Sequence, residues 1–200
     1  KLQIGDIDTA LVYGYGKPSA GSVRDVLALQ LDPYYLAPLW PDAHALAALQ
    51  ARLLLDSGAV TLEALAEVAV RSLHNAVDNP NAVRASAEAT PEELLATEPV
   101  ADPLRASDLA QVADGGCAVV LAAGDRARAL CERPAWIRGI DHRIDGHALG
   151  TRDLTRAPSA AMAAQQVGVS SDRLDIAEIH GPTTSQELIL QRELDIAEGT

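Results

Sequence analysis

Two hundred residues, 48% apolar and 22% charged, suffice for one ample globular domain or two small ones and exclude a disordered chain. A formal charge of −12 argues against a protein that grips a nucleic-acid backbone or an anionic membrane surface, since both demand clustered lysine and arginine. Phenylalanine is absent and aromatics make up only 3%, so Ala, Leu and Val must build the core, which suits helices packed closely on a sheet.

The chain opens at Lys1 without a methionine and closes at IAEGT just past a helical pattern, so both ends are expected to be cut from something larger. Thr9 to Tyr13 is an apolar run closed by glycines and Pro18, the pattern of a buried strand followed by a loop. Three prolines, Trp40 and paired tyrosines mark residues 32–42 as irregular. PDAHALAALQARLLLDSG then repeats its apolar residues at helical spacing, with Pro41 in the first turn and Gly58 as a stop. TLEALAEVAVRSLHNAVDNPNA predicts a second helix, capped by Thr61 and ended by Asn79-Pro80. TPEELLATEP predicts a third, with Thr90 as N-cap and Pro91 at the first helical position.

Cys117 to Ala122 is a continuous apolar run of strand length, and Asp125 to Cys131 reads as helix. PAWIRGIDHRI reads as a further strand, APSAAMAAQQVG as a helix of small residues, and LDIAEIHG as a short buried strand. TTSQELILQREL closes the series as an amphipathic helix, in which Thr184 and Glu187 have capping-box spacing. The sum is an α/β chain with a helical insertion between about Gly21 and Arg105.

Several residues invite chemistry, and most have a plainer reading. Cys117 and Cys131 form no disulfide framework, and with no signal peptide and no bilayer-length apolar run a reducing cytosol is expected. His142 and His147, beside Asp141 and Asp145, fit no standard metal spacing and read as a solvated strand end, so no metal is expected. His44 and His74 fall on predicted helices and should be partly exposed. Asp114-Gly115-Gly116 lacks the Lys-Ser/Thr of a phosphate loop and reads as close packing before a strand. Tyr13 and Tyr15 are assigned to the core, and the carboxylates of TPEELL and SSDRLD to helix starts. His180 remains, between a short strand and a helix start. From its neighbours alone it is either a structural ring filling a gap or a catalytic group presented at a strand's end.

AEVAVRSLHNAVDNPNA, ADPLRASDLAQVADGGCAVVLAAGDRARAL and DIAEIHGPTTSQELIL closely resemble, in order and spacing, the sterol-carrier-type thiolases, many of them known as lipid-transfer proteins. That family reads "NP-A" at a helix end, then "DPLR", "SDGAAA" and "HDCF". The resemblance covers nearly the whole chain, and four weak motifs in register make a strong signal. It implies a five-layered αβαβα fold of two similar halves, present in part, with a helical loop domain inserted. Residues 1–21 and 106–131 would then close the first half, 22–105 form the inserted domain and 132–200 begin the second half.

The resemblance also implies an activity. Thiolases move acyl groups between a cysteine and coenzyme A while making or breaking a carbon–carbon bond. Their nucleophilic cysteine would lie upstream of Lys1, and their GHP-type histidine and second cysteine beyond Thr200; Cys117 and Cys131 match none of these positions. His180 does match the histidine of "HDCF", where the family uses it in an oxyanion hole. Enolate formation and Claisen condensation both load negative charge on the thioester oxygen, and a preorganised donor there is worth about 3 kcal/mol. The segment ahead of the "SDGAAA" strand lines the coenzyme A tunnel in the family, which implicates Ala106 and Ala110, with Arg105 available to a phosphate.

Gly181-Pro182-Thr183-Thr184 departs from the family's acidic, small and aromatic sequence, and loss of the aromatic leaves room for a bulky acyl chain. The resemblance thus implies an acyl-CoA C-acyltransferase acting on a bulky, steroid- or lipid-derived 3-oxoacyl-CoA, usually a homodimer. Two alternatives stand beside it. One is a steroid side-chain retro-aldolase subunit with a small OB-fold partner, although those aldolases carry tyrosine where this chain has His180. The other is a non-catalytic lipid-binding paralogue.

Overall fold

The computed structural model describes residues 1–146, 148–169 and 174–196, and these fall into two compact units. The first is Lys1–Ser22 with Val112–Arg138; the second is Val23–Gln111 with the described residues from Gly139 onward.

In the first unit β1 (Thr9–Gly16) and β2 (Gly115–Ala122) pair antiparallel, in register from Thr9 opposite Ala122 to Gly16 opposite Gly115. Both strands form where apolar runs predict them, but the expected burial does not follow. Leu11, Val12, Val119 and Val120 are all at least half exposed, because their side chains leave the two faces of the ribbon and a two-stranded ribbon by itself has no second layer to cover them. Tyr13 and Tyr15, expected in the core, are exposed too and stack on each other with ring centroids 6.4 Å apart. Beyond β2 the chain continues into a short helix at Gly124–Leu130, whose Arg128 lies over the Trp136 ring at 5.0 Å. Asp114, just before β2, accepts hydrogen bonds from the Ser19 hydroxyl and backbone N–H, which hold its carboxyl below the usual range.

The second unit is helical. In chain order it holds α1 (Val23–Ala28), α2 (Ala43–Asp56), α3 (Leu62–Asn75) and α4 (Pro91–Leu95). Counting the Gly124–Leu130 helix of the first unit as α5, it then adds α6 (Pro158–Val167) and α7 (Thr184–Glu193). Thr61 and Thr90 cap α3 and α4 as their sequences predict, and Thr90 with Glu93 completes a capping box. α2 is capped by Asp42 rather than opened by Pro41, because the Asp42 carboxylate accepts the Ala45 N–H. Gly58 follows the helix at φ 71°, the left-handed stop that glycine permits.

Ala48, Ala51, Leu65, Leu104 and Leu109 form the core of this unit, flanked by Leu62 and Leu188. Small residues on α2 let α7 approach it closely, and α7 packs on α3 as well, as a core without phenylalanine requires. Two expected strands do not form. Residues 132–146 and 174–180 run without regular structure, and Ile140, Ile144 and Ile176 are largely exposed. An apolar run becomes a strand only where a ladder takes up its backbone groups, and among the described residues none pairs with these. No described helix is long and apolar enough to cross a membrane.

Candidate functional site

His180 ends the irregular run ahead of α7, solvent-exposed, one residue before a tightly packed turn. The turn is fixed from both sides. Leu109 pairs antiparallel with Thr183, and the Ala110 N–H donates to the Pro182 carbonyl at 2.9 Å. On the other side a Cβ placed on Gly181 would lie 3.1 Å from the Glu187 Cβ, so glycine is what lets the turn rest on α7. The structure therefore brings the His180 turn and the segment carrying Ala106 and Ala110 together across more than seventy residues of sequence.

α7 begins one residue earlier than its capping-box spacing suggests. Thr183, not Thr184, is the N-cap and accepts the Gln186 N–H at 3.1 Å. The expected Thr184–Glu187 box does not form because both side chains are committed elsewhere. Thr184 donates to the Asp108 carboxylate at 2.9 Å, and Glu187 pairs with Arg71 of α3 and accepts from Gln191. Thr183, Thr184 and Ser185 are buried, an unusually polar face whose hydroxyls are satisfied by one another and by Asp108.

Beside this turn is a cavity of about 300 Å³. Val68 and Ala69 of α3 form part of its wall, Arg84 and Ala110 another part, and Gly181 and Thr184 the part next to His180. His180 itself does not line it; its neighbour does. Of the other residues the sequence singles out, Ala110 faces the cavity, whereas Ala106 is exposed outside its lining. Arg105 spends two donors on the carbonyls of Thr97 and Pro103 and also stays out of the lining. Arg84, which the sequence reading passed over, lines the cavity and clamps its floor by donating to the Ala106 and Leu109 carbonyls at 2.9 and 2.5 Å. Asp108 and Arg71 were likewise missed. Only the Asp108 spacing, three residues after Arg105, carried a signal, because its carboxylate accepts the Arg105 N–H.

Cys117 and Cys131 are free and exposed in the other unit. Among the described residues no three His, Cys, Asp or Glu side chains come together as a metal site. Asp145 caps Ser159 and Asp141 pairs with Arg143, while His147 lies outside the described residues. His44 and His74 are exposed on α2 and α3.

Solved structures with this arrangement include an aldolase, "Ltp2-ChsH2(DUF35)", at TM-score 0.79 and 24% identity, covering 96% of this chain and 53% of that one. A monomeric SCP2-thiolase-like protein type 1 from Mycobacterium smegmatis follows at TM-score 0.72 and 19% identity, again over 96% of this chain and 43% of that one. The fold is thiolase-like. It is an α/β chain carrying part of that fold. The curated relatives agree. An acetyl-CoA acetyltransferase of Methanothermobacter thermautotrophicus is 29% identical over 159 residues, 77% of this chain and 41% of its own length. The benzoylsuccinyl-CoA thiolase subunit BbsB of Thauera aromatica is 29% identical over 143 residues, 69% of this chain and 37% of its own. This thiolase-like chain thus spans about two fifths of the curated relatives it matches. No protein-family model matches it.

Proposed function

We propose that the chain contributes the acyl-binding side of a thiolase-like acyl-CoA C-acyltransferase, with His180 as an oxyanion donor. One observation carries this reading: His180 stands exposed on a turn locked to the Leu109–Ala110 segment, next to a cavity whose wall mixes small and apolar residues with polar and charged ones. A slender thioester arm suits such a wall, and Ala69 and Ala110 leave it room. The exposed imidazole is free to donate to a carbonyl oxygen as negative charge gathers there, and the fixed turn means little reorganisation is needed at that moment. Arg84, which lines the cavity, is the residue assigned to an anionic end of the substrate, with Arg105 at the head of the segment that carries Ala110 as a second candidate. The absence of a bulky aromatic from Gly181 to Thr184 favours a bulky, steroid- or lipid-derived acyl group.

In this reading residues 1–21 and 106–131 close the first thiolase half, 22–105 are the inserted domain and 132–200 begin the second half. The helical unit beginning at Val23 supports the first of these boundaries. The nucleophilic cysteine would be supplied outside these 200 residues, and the two exposed, unpaired cysteines suit a reducing cytosol. A homodimer is the expected assembly.

A second reading, retro-aldol cleavage with a small OB-fold partner, draws its support from the structural neighbour named as a DUF35-associated aldolase. Turnover separates the two. The full-length protein, given bulky 3-oxoacyl-CoA and free CoA, is expected to show CoA-dependent thiolysis that His180→Ala slows about 10²- to 10³-fold. Its denaturation midpoint should stay put. CoA-independent release of a ketone or aldehyde from a hydroxyacyl-CoA would favour the aldolase, and parallel loss of stability and activity would make His180 structural.

A further inference from the structure

Asp108 is 5% exposed, yet both of its oxygens are used by neutral donors. One carboxylate oxygen accepts the Arg105 backbone N–H at 2.8 Å, and the other accepts the Thr184 hydroxyl at 2.9 Å. Thr184 is the first residue of α7 and is itself buried, so the carboxylate reaches from the 105–110 segment into the base of the helix that His180 precedes. Burying a carboxylate is costly, and it persists where hydrogen bonds to the charged form compensate. The position also offers an alternative that needs no charge, because an apolar pair of similar shape would fill the same space.

We propose that Asp108 is a positioning residue: it ties the segment bearing Ala106 and Ala110 to the first turn of α7 and so fixes the place of His180 beside the cavity. The inference rests on the acyl-transfer reading for its kinetic consequence, but not for its structural one. Two backbone contacts, Leu109 with Thr183 and Ala110 with Pro182, set the pairing of the segments. Asp108 adds the bond that resists their sliding apart, because it grips a side chain of the helix and not the turn itself. Asn is a conservative replacement here. Its carbonyl can accept the Arg105 N–H while its amide donates to the Thr184 oxygen, a hydroxyl being acceptor as well as donor. Ala can make neither bond.

The test uses the full-length protein carrying Asp108→Ala, Asp108→Asn and Thr184→Val, read by hydrogen exchange of the Ala110 amide, which donates to the Pro182 carbonyl, and by turnover of a 3-oxoacyl-CoA. Thr184→Val, which loses one buried hydrogen bond, should speed exchange at this amide by about tenfold, and Asp108→Ala, which loses two, by at least as much. They should lower kcat by a similar factor while KM stays within about threefold. Asp108→Asn should restore both readouts to near the parent values. Unchanged exchange in Asp108→Ala, or an Asn variant no better than Ala, would overturn the proposal. Altered exchange with kcat intact would overturn the positioning role as well. If the parent protein transfers no acyl group while exchange responds as described, the acyl-transfer reading fails and the Asp108 tie stands. Should Asp108→Ala not fold, Thr184→Val removes one bond only and carries the same readouts.

Discussion

Gly181→Ala is the sharpest probe of the packing at the His180 turn. The new Cβ would lie 3.1 Å from the Glu187 Cβ and 3.6 Å from its Cα, so one side must yield by a few tenths of an ångström. Neither yields cheaply. Glu187 is in the first turns of α7 with its carboxylate held by Arg71 and Gln191, and the turn is held by Pro182 and the Ala110 N–H. Overpacking of this kind costs about 1–3 kcal/mol, and the stiffer unfolded chain of alanine returns about 0.4–1 kcal/mol, leaving a net loss centred on about 1 kcal/mol. Equilibrium denaturation of the full-length protein measures the loss, and exchange of the Ala110 and Glu187 amides, which donate to the Pro182 and Thr183 carbonyls, locates it. A variant as stable as its parent, or more so, would refute the claim that glycine is there for close approach.

Three further outcomes follow from the same structure. Leu104→Ala opens a cavity in the core shared with Ala51 and Leu65, and should cost about 2–5 kcal/mol in denaturation experiments. Thr90→Ala removes the α4 capping box at a cost of about 1 kcal/mol, with Thr90→Ser close to neutral. The hydrogen bond from Arg156 holds Glu193 below the usual carboxylate range. Its contribution is therefore present above the ordinary glutamate value of about 4.3 and fades as pH falls through the lower folded value. Glu193→Gln should flatten the acid side of the stability profile below that point and lower stability at neutral pH, whereas an unchanged acid limb would show that the pair adds nothing.

Local signals in this chain were legible where the physics is local. Thr61 and Thr90 cap helices because a hydroxyl beside a helical run has few better partners, and β1 and β2 follow their apolar runs. Thr184 misled because its capping-box partner, Glu187, is claimed by Arg71 on a helix more than a hundred residues away. Ile140 and Ile176 misled for a related reason: an apolar run states a preference for strand, but the ladder that realises it is a tertiary fact. At the candidate site the sequence singles out His180 and Ala110, and the structure brings their segments together. Arg84 was missed because it acts on carbonyls that only the folded chain places within reach, and Asp108 because its long-range partner, the Thr184 hydroxyl, lies 76 positions away.

The pairing of Arg71 with Glu187 spans 116 positions, and α7 rests on α2 and α3 from the far end of the chain. During vectorial synthesis α2 and α3 would emerge from the ribosome long before α7, with their small-residue faces waiting for it. The helical unit would thus close late, across a long loop, which slows folding and leaves a window for nascent-chain chaperones.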